Sequence, residues 1–150
     1  MNIPEAIHFG ADDLPFVDIG DGSLLKVLQV KRGEGLWIIE NIFQAGYEVD
    51  THKHTGPVWG YTRSGAWKYK EYDYVNREGS FLYEPAGSVH TLQCVEDNTR
   101  VWFQMYGSNL NLDADSRQLR CDNFSSASGV SGRGKGDRRF KSFRITGFRQ

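Results

Sequence analysis

The chain holds four histidines in 150 residues, and two of them stand one residue apart in "HKHTGPVWGYTRSG", residues 52 to 65. Side chains on a strand alternate between its faces, so His52 and His54 project in the same direction. A third, His90, ends the stretch "GSFLYEPAGSVH". Two imidazoles on one strand face make half of a metal site, and a third from a facing strand across a barrel completes it. Three neutral imidazoles bind Zn, Fe, Ni or Cu and leave positions open for water or substrate. Pro85 and Gly87 supply the fixed and the permissive backbone angles of a turn that launches the strand of His90. The fourth histidine, His8 in "AIHFG", reads as a surface or interface residue.

The elements that must position these side chains are strands. "SLLKVLQV" (23–30) and "LWIIENIF" (36–43) are short apolar runs rich in branched residues, bounded by turn-forming "DGS", "KRGEG" and "AG". "GYEVDTHKH" reads as a strand ending at the paired histidines. In "GAWKYKEYDYV" the alternation places Trp67, Tyr69, Glu71 and Asp73 on one face. "SFLYE", "VHTLQCV" and "RVWFQMYG" follow, each set off by Gly, Pro or Asn. No helical period longer than two turns runs before residue 108. Four Trp, seven Tyr, nine Phe and 17 Gly favour β-structure with many turns. The expected fold class is therefore all-β, a small antiparallel sandwich or barrel in a single domain.

Composition bounds the partners. A formal net charge of -1 gives the molecule as a whole no preference for nucleic acid or a membrane surface. The charge is uneven: Ser131 to Gln150 holds seven basic residues and the single acid Asp137, hence +6, which leaves -7 on the preceding 130 residues. Residues 125–150, rich in Ser, Gly and Arg, read as a mobile basic tail, with a basic arm for an acidic partner as the sharper alternative. "FKSFRITGF" within it has the composition of one edge strand. Cys94 and Cys121 form no metal or disulfide spacing, and no stretch resembles a signal peptide or membrane span. A cytoplasmic protein with reduced thiols is expected.

The two histidine blocks carry a resemblance. Gly46, His52, His54 and Gly65, then Gly79, Pro85, Gly87 and His90, match the two motifs of the cupins, small jelly-roll barrels with a metal at the centre. The likeness covers roughly residues 10 to 115. It departs at one place: the motif glutamate, separated from the second histidine by three or four residues, falls at Val58 or Trp59, neither of which can ligate. That substitution is typical of cupin dioxygenases. More narrowly, residues 52–92 are similar to the 2,4'-dihydroxyacetophenone dioxygenases, with acetylacetone-cleaving dioxygenases as more distant relatives.

The resemblance implies Fe(II), with Zn or another divalent ion as the alternative, and an aromatic ketone plus O2 as substrates. It implies cleavage of an aryl α-hydroxyketone such as 2,4'-dihydroxyacetophenone to 4-hydroxybenzoate and formate. Glu84, just before the Pro85 turn, is a candidate for orienting an imidazole or taking the substrate proton, and Glu71 is a second candidate that ligates if it faces inward. Trp59, Tyr61, Trp67, Trp102 and Gln104 are expected to line the cavity with an aromatic wall. Two other readings stand beside this one: a β-diketone substrate, and a Zn-holding sensor module without catalysis resembling those of anti-sigma factors. An open sheet edge would also invite pairing of two copies into a homodimer.

Overall fold

The computed structural model describes residues 3–113, residue 115 and residues 118–122. The basic segment 125–150 and its "FKSFRITGF" stretch lie outside the described residues. Thirteen strands and one short 3-10 turn (Arg32–Glu34) are present among the described residues, with no α-helix. No helix there is long and apolar enough to cross a membrane. Every strand pairing is antiparallel, as the short alternating runs predict.

The largest sheet has six strands in the order β1 (Val17–Asp18), β2 (Leu24–Lys31), β3 (Leu36–Phe43), β11 (Thr99–Tyr106), β5 (Val58–Ser64), β8 (Phe81–Glu84). A three-stranded sheet runs β10 (Leu92–Cys94), β6 (Ala66–Tyr69), β7 (Asn76–Arg77). A four-stranded sheet runs β13 (Gln118–Asp122), β12 (Asn109–Leu112), β4 (His52–His54), β9 (Val89–His90). Among the described residues β8 ends the large sheet, with no strand paired to its outer edge.

Register decides what faces inward. Val27, Ile39, Phe103, Gly60 and Leu82 form one row across five strands, and the next inward row runs Trp37, Met105, Val58 and Glu84. Trp67, Tyr69, Leu92 and Cys94 of the small sheet pack against them in one core. Trp67 is fully buried and its indole Nε1 donates to Thr62 Oγ1 at 2.8 Å, which satisfies the polar atom this ring brings into the core. A side chain at Gly60 would meet the Phe103 ring at 3.1 Å, so the missing Cβ is what lets that ring lie over the strand.

The intervening rows face outward. Lys26, Glu40, Trp102, Tyr61 and Phe81 align across the sheet. The Glu40 carboxylate Oε1 accepts from Arg63 Nη1 at 2.8 Å and from Arg100 Nε at 2.9 Å. Residues 11–16 cross this face: Lys26 Nζ donates to Ala11 O at 2.9 Å and sits 4.5 Å from the centre of the Phe16 ring.

Two expectations need correction. The strand read through "GAWKYKEYDYV" ends at Tyr69, because Tyr72 N–H turns back to Tyr69 O at 3.2 Å; Glu71 and Asp73 thus share no strand face with Trp67. "GYEVDTHKH" is likewise broken, with Glu48 making only an isolated bridge to Gln93 before β4 opens at His52.

Gly65 joins β5 to β6 at φ +75°, and an added Cβ there would lie 2.7 Å from Thr99 Cα. Gly65→Ala is therefore expected to cost about 2 kcal/mol or more, read as a lowered urea midpoint at unchanged m-value. An unchanged midpoint would show that the turn relaxes freely.

Candidate metal centre

The three histidines converge. Each of His52, His54 and His90 offers a ring nitrogen within 4.8 Å of those of the others, and all three are buried. The third ligand arrives by a different route from the one the sequence implies. His90 does not face the pair across a barrel; it lies on the adjacent strand of the same sheet, directly opposite His52 in the β4–β9 register. Side chains of directly opposed residues share a face and nearly touch, and the two ring centroids are 4.8 Å apart at 89°.

Backbone contacts hold this short ladder. Gly87 N–H donates to His54 O at 2.8 Å, so the turn after Pro85 is fastened to one ligand strand while it delivers the next. Gly87 sits at φ +85°, where glycine carries no Cβ penalty. Thr51 and Thr91, which flank His52 and His90, join through their hydroxyls at 2.8 Å. His52 Nδ1 lies 2.7 Å from Asp50 O, where its N–H donates; that tautomer leaves Nε2 unprotonated and directed into the site.

Burial sets the charge state. Desolvation lowers the His52 pKa and takes that of His54 down to about 4, against the attraction of the Glu84 carboxylate. Both rings are thus neutral near pH 7, as ligands must be. His90 Nε2 is buried and has no hydrogen-bond partner among the described residues. An orphaned ring nitrogen where three imidazoles gather fits a bound divalent ion, which would satisfy it.

Glu84 stands against this group. It is 3% exposed, and Oε2 lies 3.0 Å from His90 Nε2 and 3.5 Å from His54 Nε2. Its other oxygen accepts a hydrogen bond from the Tyr69 hydroxyl, and the Tyr69 ring stacks on His90 at 4.0 Å and 23°. Burial acts to raise the Glu84 pKa, but the imidazoles of His90 and His54 and the Tyr69 donor outweigh it, and the carboxyl stays below its ordinary value. Burial first, then the Glu84 charge, holds the Tyr69 phenol protonated.

The remaining expected site residues are placed elsewhere. Glu71 is exposed, and its Oε2 accepts the Thr91 backbone N–H at 2.9 Å; it braces the residue after His90 and is not turned inward as a ligand. Trp59, Tyr61, Trp102 and Gln104 stand in the outward rows of the large sheet, where Tyr61 is 47% exposed. The strand period of two sends their neighbours Val58, Gly60, Phe103 and Met105 inward in their place. Of the five aromatic-wall positions only Trp67 is inward, and it packs in the core against Phe103 and Tyr69. His8 is exposed.

Sequence reasoning passed over three residues here. Tyr69 was visible two positions before Glu71 in the alternating run, but its role depends on a contact between sheets. Asn109 and Asn111 pair with His54 and His52 across β12–β4 and so share their face; the alternation in "NLNL" was the available signal.

Two outcomes follow. His90→Ala should keep the barrel core, which is aromatic and aliphatic, yet lose bound metal; stoichiometric metal in that variant by elemental analysis would refute the ligand assignment. Metal-free protein should also lose stability as pH falls. The unfolded chain takes up protons at histidine near 6.5 while folded His54 does so only near 4, so unfolding binds protons throughout that window. About 2 kcal/mol or more should disappear between pH 7 and 4, and His54→Gln should flatten the slope of thermal midpoint against pH.

Comparison with known proteins agrees with this architecture. A family model described as the ChrR Cupin-like domain matches residues 4–109. An RmlC-like cupin protein from Ralstonia eutropha JMP134 superposes with TM-score 0.77 at 27% identity, covering 82% of each chain. A protein of unknown function with a cupin-like fold, from the same organism, gives 0.74 at 31% identity over 82% of this chain and 81% of that one. An acetylacetone dioxygenase from Acinetobacter johnsonii, 13% identical, gives 0.71 over 85% and 90% and carries the likeness of fold alone. No curated protein matches this chain. With a three-histidine site on an antiparallel fold and 4–109 matched, the chain belongs to the ChrR cupin-like domain family.

Proposed function

We propose that this protein is an Fe(II)-dependent dioxygenase that cleaves the carbon–carbon bond between carbonyl and carbinol carbons of an aryl α-hydroxyketone. The observation that carries this reading is a buried three-histidine centre beside an inward carboxylate, at the position where the motif glutamate is replaced by Val58 or Trp59. For 2,4'-dihydroxyacetophenone the products are 4-hydroxybenzoate and formate, and both atoms of O2 are consumed in forming the two acids.

His52, His54 and His90 would hold the iron, which when bound supplies open coordination positions and a route for electrons from the substrate to dioxygen. Everything else falls to the chain. Val58 and Met105, buried in the row that ends at Glu84, keep bulk water from that side. The Glu84 carboxylate, whose Oε2 lies 3.0 Å from His90 Nε2, would take the hydroxyl proton as the substrate's two oxygens displace it from beside the histidines. Tyr69 holds that carboxylate in place through the other oxygen.

A second reading is favoured by the family match itself, whose description names ChrR: a Zn-holding module that binds and does not turn over. A β-diketone substrate is a variant of the first reading, since it presents the same two chelating oxygens. One experiment separates them. Fe(II)-loaded protein with 2,4'-dihydroxyacetophenone should form no product without oxygen; admitting oxygen-18 should release the two acids in equal amounts, each carrying label. Product without oxygen would sink the oxygenase reading. Tightly bound Zn with no oxygen uptake for any hydroxyketone or diketone would favour the binding module.

A further inference from the structure

The geometry points to Glu84 as a fourth, carboxylate ligand of the metal centre, delivered from β8 in place of the motif glutamate that Val58 and Trp59 cannot supply. This inference rests on the three-histidine centre and not on the oxygenase reading.

Distance is the first argument. Ligand atoms about 2.1 Å from a common ion lie about 3.0 Å apart at a right angle and about 3.4 Å apart at the tetrahedral angle. Glu84 Oε2 is 3.0 Å from His90 Nε2 and 3.5 Å from His54 Nε2, the spacings that two ligands of one ion adopt. The second argument is that these contacts are not hydrogen bonds. Oε2 and His90 Nε2 are both buried and, among the described residues, both without a hydrogen-bond partner, although 3.0 Å apart; at that distance they are not aimed at each other as donor and acceptor. A carboxylate and an imidazole left in that state cost free energy, and a cation between them removes the cost.

The third argument is orientation. A carboxylate that serves only to steer a ligating imidazole sits at the ring nitrogen remote from the metal. Asp50 O plays that part for His52, at Nδ1. Glu84 instead meets His54 and His90 at Nε2, with His54 Nδ1 left unpartnered. Tyr69 completes the arrangement: its hydroxyl engages Oε1, its ring lies flat on His90, and Oε2 is thereby turned to the histidines. Glu71 cannot substitute, since its oxygen is committed to the Thr91 N–H.

Cobalt(II) alone serves as the probe, because its visible d–d bands report coordination number without turnover. Wild-type protein, Glu84→Gln and Tyr69→Phe would be titrated with Co(II) against a chromophoric chelator, and the melting of each apoprotein followed. Glu84→Gln should bind at least ~100-fold more weakly with altered d–d bands, while its apoprotein melts no lower than wild type. Tyr69→Phe should lose about 10-fold with the wild-type band pattern kept. Equal affinity and an identical spectrum in Glu84→Gln would overturn the fourth ligand. A wild-type protein that takes up no Co(II) would overturn the three-histidine centre and this inference with it. Intact Co(II) behaviour with no oxygen uptake by the Fe(II) form would sink the oxygenase reading and leave the ligand standing.

Discussion

One carboxylate is where the three sheets meet. Glu84 belongs to the six-stranded sheet, its first oxygen engages Tyr69 of the three-stranded sheet, and its second adjoins His54 and His90 of the four-stranded sheet. Placing an acid and three imidazoles in an apolar interior is unfavourable unless each is matched. The surrounding structure reads as the set of contacts that makes it tolerable. The Thr51–Thr91 pair and the Asp50 carbonyl fix the histidine side. Tyr69 fixes the carboxylate side.

That constraint also explains why the strands around the centre are so short. β4 has three residues and β9 two, too few to persist by pairing alone. They hold because β12 continues the sheet on one side and because turn contacts such as Gly87 N–H to His54 O tie them at the ends. The long strands β2, β3 and β11 supply the apolar mass on which this small polar ladder rests.

The fold class was legible from residue types: alternating runs set off by glycine and proline mark β2, β3, β8 and β11 within a residue or two of their actual ends. The histidine grouping was legible from spacing, since His52 and His54 share a face by strand geometry alone. What could not be read was which strand lies beside which. His90 came out next to His52 in one sheet, where spacing alone allowed a strand across the barrel. The pocket wall failed for a related reason. Trp59, Tyr61, Trp102 and Gln104 follow a clean alternation, but alternation names two faces without saying which is inside; that was decided by the row containing Gly60 and Phe103. Tyr69 was invisible as a partner because its contact with Glu84 spans 15 residues and two sheets.

The edge strand β8 carries two unlike faces four residues long. Phe81 and Tyr83 look outward, 67% and 52% exposed, while Leu82 and Glu84 look inward at 9% and 3%. Tyr83 and Glu84 are both paired to β5, opposite Trp59 and Val58, so a push or pull on the outer aromatic rings is carried through a single strand thickness to the carboxylate. Whatever leans on that rim therefore has a lever on the interior, and the outer surface of β8 is the place from which the polar centre can be felt without being entered.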